Sequence, residues 1–378
     1  MAMTNRERVL AVLDGKSPDR VPWIARLRLW YHARLTEGNL PERFRGMDEV
    51  ALGRALRTGN PARDGKVFKV RYEGLEVREE REPGVLRQCF ITPYGSVTYG
   101  QMTSSYLQGR IESGLPLEHP IKRREDYKVW EYVAEHTFYD PTYEDYLAYE
   151  QAVGDDGYPM VSAGDCPFHH LQLRLVGYND VFFHMMDFAN EFESLLTVMT
   201  QVEKERLWPV VADSPARLIL HGLHFDSQMT PPHLFRQYIT PYYREFSALL
   251  HAKNKRLAWH ADDDSQAILQ EIKDAGFDMS ECFCTAPMVS VTLAEARQAW
   301  GKDVIIWGGI PSVVLEETFP EEEFEAYVKG VLRTIAPGDA IILGVADNVM
   351  PMSIIERVER ISELVEQYGK YPIDPAKI

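Results

Sequence analysis

The sequence has few of the features that mark membrane, secreted or nucleic-acid-binding proteins. No apolar run approaches the ~18 residues needed to cross a bilayer, and the polar start of the chain does not resemble a signal peptide. The net charge of −16 argues against nucleic acid as a partner, because phosphate groups are bound by clustered Lys and Arg. The four cysteines give no paired framework, since Cys282 and Cys284 are too close for a comfortable bridge. Reduced thiols in a cytoplasmic protein are expected.

Two common catalytic signatures are also missing. The chain has no Gly-rich phosphate loop of the Walker or dinucleotide type, and it has no Gly-x-Ser-x-Gly nucleophile elbow. The chain is long and rich in apolar residues, with 378 residues of which 45% are hydrophobic. That is enough for one large α/β barrel or for two ordinary domains. The acidic surface would suit a partner with a basic docking face.

From residue 157 onward, short β-type runs alternate with amphipathic helical segments. Together with an early run at 21–26, this pattern predicts seven strands, the later six at 160–163, 217–221, 256–260, 278–283, 304–307 and 340–344. An eighth strand is expected in an irregular stretch, which would complete a TIM-type (β/α)8 barrel. Residues 66–105 instead have a period of two between turns, which predicts a β-meander inserted after an N-terminal helical part. One barrel domain over residues 1–378 is therefore expected.

Polar residues stand where two of these strands end. Ligands bind at the carboxyl ends of barrel strands, and His260 and Asp262 follow one strand with the spacing that points two side chains the same way. They could bind a metal ion together, or His260 could simply bond its neighbour. Glu281 and Cys284 end the next strand, and a carboxylate in an apolar strand needs a raised pKa or a cation beside it. Glu281 could instead cap a loop, Cys284 could be a small core residue, and Cys282 is assigned to the core.

Other strand ends supply candidates for acid–base chemistry and substrate binding. His221, His224 and Asp226 form a polar run after the strand at 217–221, where His224 or Asp226 could transfer a proton. His169 and Asp347 follow two further strands. Ordinary loop polarity or a capped turn would explain these clusters equally well.

Several motifs together resemble the uroporphyrinogen decarboxylase superfamily. They are Asn5-Arg-Glu-Arg-Val-Leu with Pro18-Asp-Arg-Val-Pro22, Pro241-Tyr-Tyr, His260-Ala-Asp262, Trp307-Gly-Gly-Ile-Pro311, and Ile342-Leu-Gly344 with Asp347-Asn and Pro351. The resemblance implies a TIM-type barrel with its site at the carboxyl ends of the strands. The superfamily joins two chemistries, decarboxylation of a tetrapyrrole and zinc-dependent methyl transfer to or from a corrinoid.

The decarboxylase branch has an Arg-Gln-Ala-Gly-Arg-Tyr signature that grips the carboxylates of its substrate. Here that place reads Arg26-Leu-Arg28-Leu-Trp-Tyr31, without the glycine and with Leu and Trp added. A tetra-acid substrate would fit poorly beside Trp30, so the alternative of a decarboxylase is not favoured. The residues expected to bind substrate are Arg26, Tyr31, His169, His221, Trp307 and Asp347.

The methyltransferase branch binds zinc through His-x-Cys and a later Cys. His260 matches the histidine, Asp262 stands at the first cysteine position, and Val345 or Ala346 stands at the second. The resemblance therefore implies an oxygen-richer zinc site made by His260, Asp262, Glu281 and Cys284, with His224, Asp226 and Glu281 as catalytic residues. Such a site fits methyl transfer from a small methoxylated donor, and the resemblance implies that this donor is aromatic.

No Asp-x-His-x-x-Gly corrinoid motif occurs in the chain, so a cobalamin would be carried by a separate corrinoid-binding protein. The family likeness also suggests a homodimer. A barrel that binds a small molecule without turnover is the further alternative to a methyltransferase or a decarboxylase.

Overall fold

The structure is a computed structural model, which describes residues 2–103 and 115–378 and divides into two compact units. The first unit comprises Met1–Gly65, Asp145–Gly164 and Ala216–Ile378, and the second comprises Lys66–Glu144 and Asp165–Pro215. The inserted meander expected at 66–105 falls in the second unit, with 104 and 105 outside the described residues. That the chain is one barrel domain stays a prediction.

Twelve strands and fifteen α-helices are present in the described ranges. The strands are β1 Phe68–Tyr72, β2 Glu76–Glu82, β3 Val85–Thr92, β4 Gly95–Met102, β5 Pro116–Glu118, β6 Thr137–Pro141, β7 Met160–Ser162, β8 Leu218–Leu223, β9 Arg256–His260, β10 Met279–Phe283, β11 Ile305–Pro311 and β12 Ile341–Ala346. The helices are α1 Asn5–Leu13, α2 Arg28–Glu37, α3 Glu49–Ala55, α4 Arg124–Glu135, α5 Tyr143–Val153, α6 Pro167–His170, α7 Val181–Asp187, α8 Ala189–Val202, α9 Trp208–Asp213, α10 Pro232–Leu234, α11 Thr240–Ala252, α12 Leu269–Ala275, α13 Leu293–Trp300, α14 Glu321–Ile335 and α15 Ile355–Tyr368. Within these ranges, no helix has the length and apolar character to pass through a membrane.

Six strands of the first unit form one parallel sheet in the order β12-β11-β10-β9-β8-β7. Neighbours in this sheet are also neighbours in sequence, with helices between them, as in a βα repeat. Every residue of β10, β11 and β12 is buried, which explains why these strands are near-continuous apolar runs rather than alternating ones.

Two short segments extend this sheet at its edges. The first, residues 21–26, forms a parallel bridge between Trp23 and Leu343 of β12. The second, residues 59–65, forms one between Gly65 and Val161 of β7. The backbone N–H of Gly59 donates to the carbonyl of Trp23 at 2.9 Å, so the two segments also meet each other. The predicted TIM-type (β/α)8 fold class is confirmed. The regular sheet has six strands in the described residues, and the segments 21–26 and 59–65 contribute isolated bridges rather than a seventh and an eighth strand.

Apolar side chains from the six strands and from α1 pack together in one core cluster. Met279, Trp307 and Ile342 lie in this core with Val9 and Leu13 of α1. Thr4 caps α1 in a capping box with Glu7, which satisfies backbone N–H groups at the start of that helix. Trp307 is therefore part of the packed interior, and its expected role in substrate binding stays a prediction.

The second unit contains two antiparallel sheets. One has the order β2-β3-β4-β5, and the other pairs β1 with β6. The β2–β4 part has the hairpin connections predicted for a meander. β2 lies at an edge of the four-stranded sheet, and six of its seven residues are charged and exposed.

Gly157 gives a test of how the irregular segment 59–65 is held. A Cβ atom at Gly157 would lie 2.1 Å from the carbonyl oxygen of Asn60, its bridge partner. We expect Gly157→Ala to lower the free energy of unfolding by about 1–3 kcal/mol, because that backbone contact must be displaced. Urea denaturation measures this difference.

Gly330→Ala is the matched control. Gly330 lies inside α14 with no atom within 4 Å of the added Cβ, so this variant should gain up to about 1 kcal/mol from helix propensity. Equal stability of the two variants would contradict the tight packing of Asn60 against Gly157.

Candidate active site

The candidate active site is centred on His260, the last residue of β9. In the sheet register, Glu281 of β10 lies beside His260 on one side and beside Trp307 of β11 on the other. Asp347 immediately follows β12. Adjacent parallel strands end at the same edge of the sheet, so these side chains converge there.

Three carboxylates surround the His260 ring. Its Nδ1 atom lies 2.6 Å from Oε2 of Glu281. Its Nε2 atom lies 3.3 Å from Oδ2 of Asp262 and 3.4 Å from Oδ1 of Asp347. Because a carboxylate can only accept, the hydrogen on Nδ1 is donated to Glu281. The side chains of His260 and Glu281 are only 7% and 1% exposed, so these charges are held away from water.

Two arginines accompany the carboxylates. Arg26 forms an ion pair with Asp347, and its Nη1 atom also lies 3.2 Å from Sγ of Cys282. Arg63 Nη2 lies 3.2 Å from Oε2 of Glu281 and 3.5 Å from Nδ1 of His260. Each arginine therefore holds one carboxylate of the cluster in place.

The cluster shifts the pKa of His260 and of the carboxyl groups around it. Burial opposes a charge on His260, but Asp262, Glu281 and Asp347 outweigh it and hold the pKa of the imidazole well above its ordinary value. Burial likewise opposes a charge on Glu281, yet Arg63 and His260 hold the pKa of this carboxyl below its usual range. The carboxylates thus favour positive charge at the position of the His260 Nε2 atom.

Irregular backbone on both sides of β9 shapes the site. β8 departs from regular pairing between Leu220 and Leu223, and β10 does so between Glu281 and Phe283. His224 and Cys282, which lie at these irregularities, have φ values of 54° and 58°, a conformation that non-glycine residues rarely adopt. The resulting turn brings Nδ1 of His224 to 2.7 Å from Oδ1 of Asp262.

The donor atoms could hold a divalent cation. His224, His260 and Asp262 each offer a donor, and these three atoms lie within 4.8 Å of one another. The same is true of His260, Cys282 and Asp347. Two ligands of a tetrahedral ion at ~2.1 Å lie ~3.4 Å apart, which matches the distances from His260 Nε2 to Asp262 and Asp347. The residues present therefore fit such an ion.

This geometry differs from the ligand set expected from the sequence. His260 and Asp262 belong to a donor group, whereas Glu281 and Cys284 belong to neither. Glu281 contacts the other nitrogen of His260, the usual arrangement for a carboxylate that orients a metal-binding histidine. Cys282, assigned to the core on the basis of strand alternation, enters instead because the irregularity in β10 turns its thiol toward Asp347.

Four other predicted site residues have clear structural contacts. Asp226 accepts hydrogen bonds from the backbone N–H groups of Gln228 and Met229, so it caps a turn. The fully buried His221 contacts the Tyr243 hydroxyl at 2.9 Å, and the Tyr31 hydroxyl donates to a backbone carbonyl at 2.7 Å. The remaining one, His169, belongs to the second unit.

His169 is fully buried between two polar partners of that unit. Its Nδ1 atom lies 2.5 Å from Oδ2 of Asp165, and its Nε2 atom lies 2.9 Å from the Tyr178 hydroxyl. A role for His169 in substrate binding stays a prediction.

Sequence reasoning missed Arg63 altogether. It lies in the irregular segment 59–65, which has no strand-like alternation, and its partners Glu281 and His260 are about two hundred residues away in the chain. The only available signal was an arginine close to a glycine in a segment without regular structure, which does not point to a site.

Comparison with protein families decides where the chain belongs. A family model described as uroporphyrinogen decarboxylase (URO-D) matches residues 117–368, two thirds of the chain. The chain belongs to the uroporphyrinogen decarboxylase family. The resemblance read from the sequence motifs is thereby confirmed, and the His260 cluster is the candidate site of a uroporphyrinogen decarboxylase family barrel.

Comparison with solved structures supports the fold of this family member. A methyltransferase from Methanosarcina mazei aligns with a TM-score of 0.56 at 14% identity, covering 97% of this chain and 99% of the other. A xyloglucan-specific beta-1,4-glucanase from a ruminal metagenomic library aligns at a TM-score of 0.37 and 10% identity, covering 61% of this chain and 78% of the other. That second similarity is too low to inform fold or function. The curated proteins give no match.

The thiols offer a direct test of the site geometry. Burial raises the pKa of Cys282 and of Cys284 to about 12, and Cys89 is the partly exposed cysteine of the chain. We expect iodoacetamide at pH 8 to modify Cys89 first, because a thiol with that pKa has only ~10⁻⁴ of its population as thiolate. Peptide mass spectrometry of metal-free protein locates the modified cysteine. Rapid alkylation of Cys282 would contradict its buried position beside Arg26.

Proposed function

We propose that this protein is a zinc-dependent methyltransferase that moves a methyl group from a small methoxylated, aromatic substrate to the cobalt of a separate corrinoid protein. The observation that carries the proposal is the group formed by His224, His260 and Asp262, with Glu281 behind the His260 ring. The family membership and the fold shared with a protein described as a methyltransferase support it.

The chemistry of the donors favours zinc with oxygen and nitrogen ligands. Zinc accepts imidazole and carboxylate ligands at ~2.0–2.2 Å. The nearest thiol, Cys282, has a pKa raised to about 12 by burial and by Glu281, so it is protonated before any ion binds. Such a ligand set leaves a more Lewis-acidic ion than thiolates would. When bound, zinc would supply a Lewis acid for the oxygen of a methyl ether.

Residues of the chain would hold the ion, orient its ligands and pair the nearby charges. His260 and Asp262 would hold the ion from one strand end, and His224 would hold it from the neighbouring one. Glu281 accepts the Nδ1 hydrogen of His260, which keeps the Nε2 lone pair directed at the donor group. Arg26 binds Asp347 and limits the free negative charge beside the substrate.

The proposed reaction is a displacement at the methyl carbon. The methyl group would pass to Co(I) of the partner's corrinoid, which would supply the electron pair for the new cobalt–carbon bond. The carbon–oxygen bond of the ether would break, and the phenolate would leave and take up a proton from water. A separate carrier is required because the sequence has no corrinoid-binding motif. The acidic chain would favour a carrier with a basic docking face.

Decarboxylation of a tetrapyrrole is less well supported. Such a substrate needs arginines free to grip its carboxylates. Arg26 is instead bound to Asp347, and Arg28 is bound to Glu49 and Asp64. Arg26 and Arg28 thus pair with carboxylates of the protein itself.

Metal binding tests the proposed ligands directly. We expect purified protein to bind one zinc ion, and His260→Ala or Asp262→Ala to lower the zinc affinity at least 100-fold, because each removes a donor. His224→Ala should lower it by a smaller factor, since this side chain is one-third exposed. Competition with a chromophoric chelator measures these affinities.

His233→Ala is the matched control for these variants. His233 is exposed and belongs to neither donor group, so its replacement should leave zinc binding unchanged. Retention of full zinc affinity by both His260→Ala and Asp262→Ala would show that the ligand assignment is wrong.

Methyl transfer to free cob(I)alamin tests the reaction. We expect zinc-loaded protein to form methylcobalamin and a phenol from methoxyarenes, with His260→Ala at least 100-fold slower because the ether oxygen loses its Lewis acid. Absorbance of the corrinoid and chromatography of the phenol follow the two products. Transfer from methylamines or methanol alone would exclude the ether substrate, and carbon dioxide release from a porphyrinogen without methyl transfer would favour the decarboxylase.

A further inference from the structure

Three side chains, those of His260, Arg63 and Cys282, contact the carboxylate of Glu281. Its carboxylate is almost fully buried, and Nδ1 of His260 and Nη2 of Arg63 share its Oε2 atom at 2.6 and 3.2 Å. The thiol of Cys282 donates to its Oε1 atom at 3.0 Å. Of these three donors, Arg63 is the one that is always charged.

Arg63 holds the Glu281 carboxylate in position through a shared contact. Its Nη2 atom and the Nδ1 atom of His260 both approach the same oxygen, Oε2 of Glu281. Without Arg63, His260 would be the remaining contact of this oxygen, and the carboxylate could rotate away from the Nδ1 hydrogen. The ring of His260 would then be less firmly oriented.

The backbone of the irregular segment explains why Arg63 points inward. Ala62, the preceding residue, has a φ of 48°, and its N–H donates to the side chain of Asn60 at 2.9 Å. The carbonyl of Ala62 accepts from Met160 of β7 at 2.9 Å, and Gly65 bridges Val161. Arg63 is therefore anchored on both sides, and its side chain is only 19% exposed.

We propose that Arg63 is a positioning residue that acts through Glu281 to keep the Nε2 atom of His260 directed at a bound metal ion. This inference rests on the proposed function and adds to it a residue outside both donor groups. Arg63 does not touch the ion or the substrate in this role. Arg63 contributes to the orientation of the His260 ligand. Mutation of such outer contacts typically lowers metal affinity 10–100-fold.

Cobalt(II) is the probe for this role, because its visible spectrum reports on ligand geometry. We expect Arg63→Met to weaken Co²⁺ binding 10–100-fold and to alter the absorption bands of the bound ion. Arg63→Lys keeps the positive charge but loses the planar guanidinium group. It should therefore bind Co²⁺ more tightly than Arg63→Met but less tightly than the wild type. Arg54→Met is the control, since Arg54 is an exposed arginine whose ion pair is with Asp156.

A double substitution separates positioning from a general loss of stability. If Arg63 acts through Glu281, adding Arg63→Met to Glu281→Gln should weaken Co²⁺ binding no further than Glu281→Gln alone. Additive losses would overturn the proposal, as would Arg63→Met and Arg63→Lys proteins with the affinity and spectrum of the wild type.

The two proposals fail in different ways. Wild-type protein that takes up no Co²⁺ or Zn²⁺ would end the proposed function together with this inference. If wild-type protein binds metal and transfers methyl groups, and the Arg63 variants bind metal as tightly as the wild type, this inference alone is wrong. Thermal unfolding of each variant, monitored by circular dichroism, verifies that folded protein is compared.

Discussion

The balance of buried charge around His260 is the constraint on which the site depends. Asp262, Glu281 and Asp347 supply negative charge, and they are matched by His260 and by the two arginines Arg26 and Arg63. A charge taken out of water costs several kcal/mol unless it is paired. The cluster is therefore stable only as a set, and the parallel strands that end at one edge of the sheet are what bring its members together.

The same balance narrows the chemistry that the site can perform. Its arginines neutralise carboxylates of the protein, so little positive charge is left for a polyacidic substrate. The oxygen and nitrogen donors around Nε2 of His260 instead suit a divalent cation. On the proposed function, the arginines of this family member bind carboxylates of the protein and leave the site to a metal ion.

The sequence was sufficient for the parts of the structure that rest on local patterns. Buried strands appear as apolar runs, and the pair His260 and Asp262 stands out because residues two apart share a side of a strand. Cys282 is buried, as expected for a core residue, but its thiol turns toward Asp347 because β10 is irregular there and φ is 58°. The sequence context of Asp226 does not separate a carboxylate that caps a turn, as this one does, from a catalytic one. Arg63 depends on contacts between distant parts of the chain, which no local pattern encodes.

The edge strand β2 of the second unit has a consequence for how this protein behaves at high concentration. Its exposed residues include both acidic and basic side chains, with arginine to glutamate pairs along the strand itself. A neighbouring molecule that docked its own strand there would have to desolvate these ions and break their pairs. Sheet growth from one molecule to the next is thereby discouraged on this side, which protects the chain from assembling into fibres.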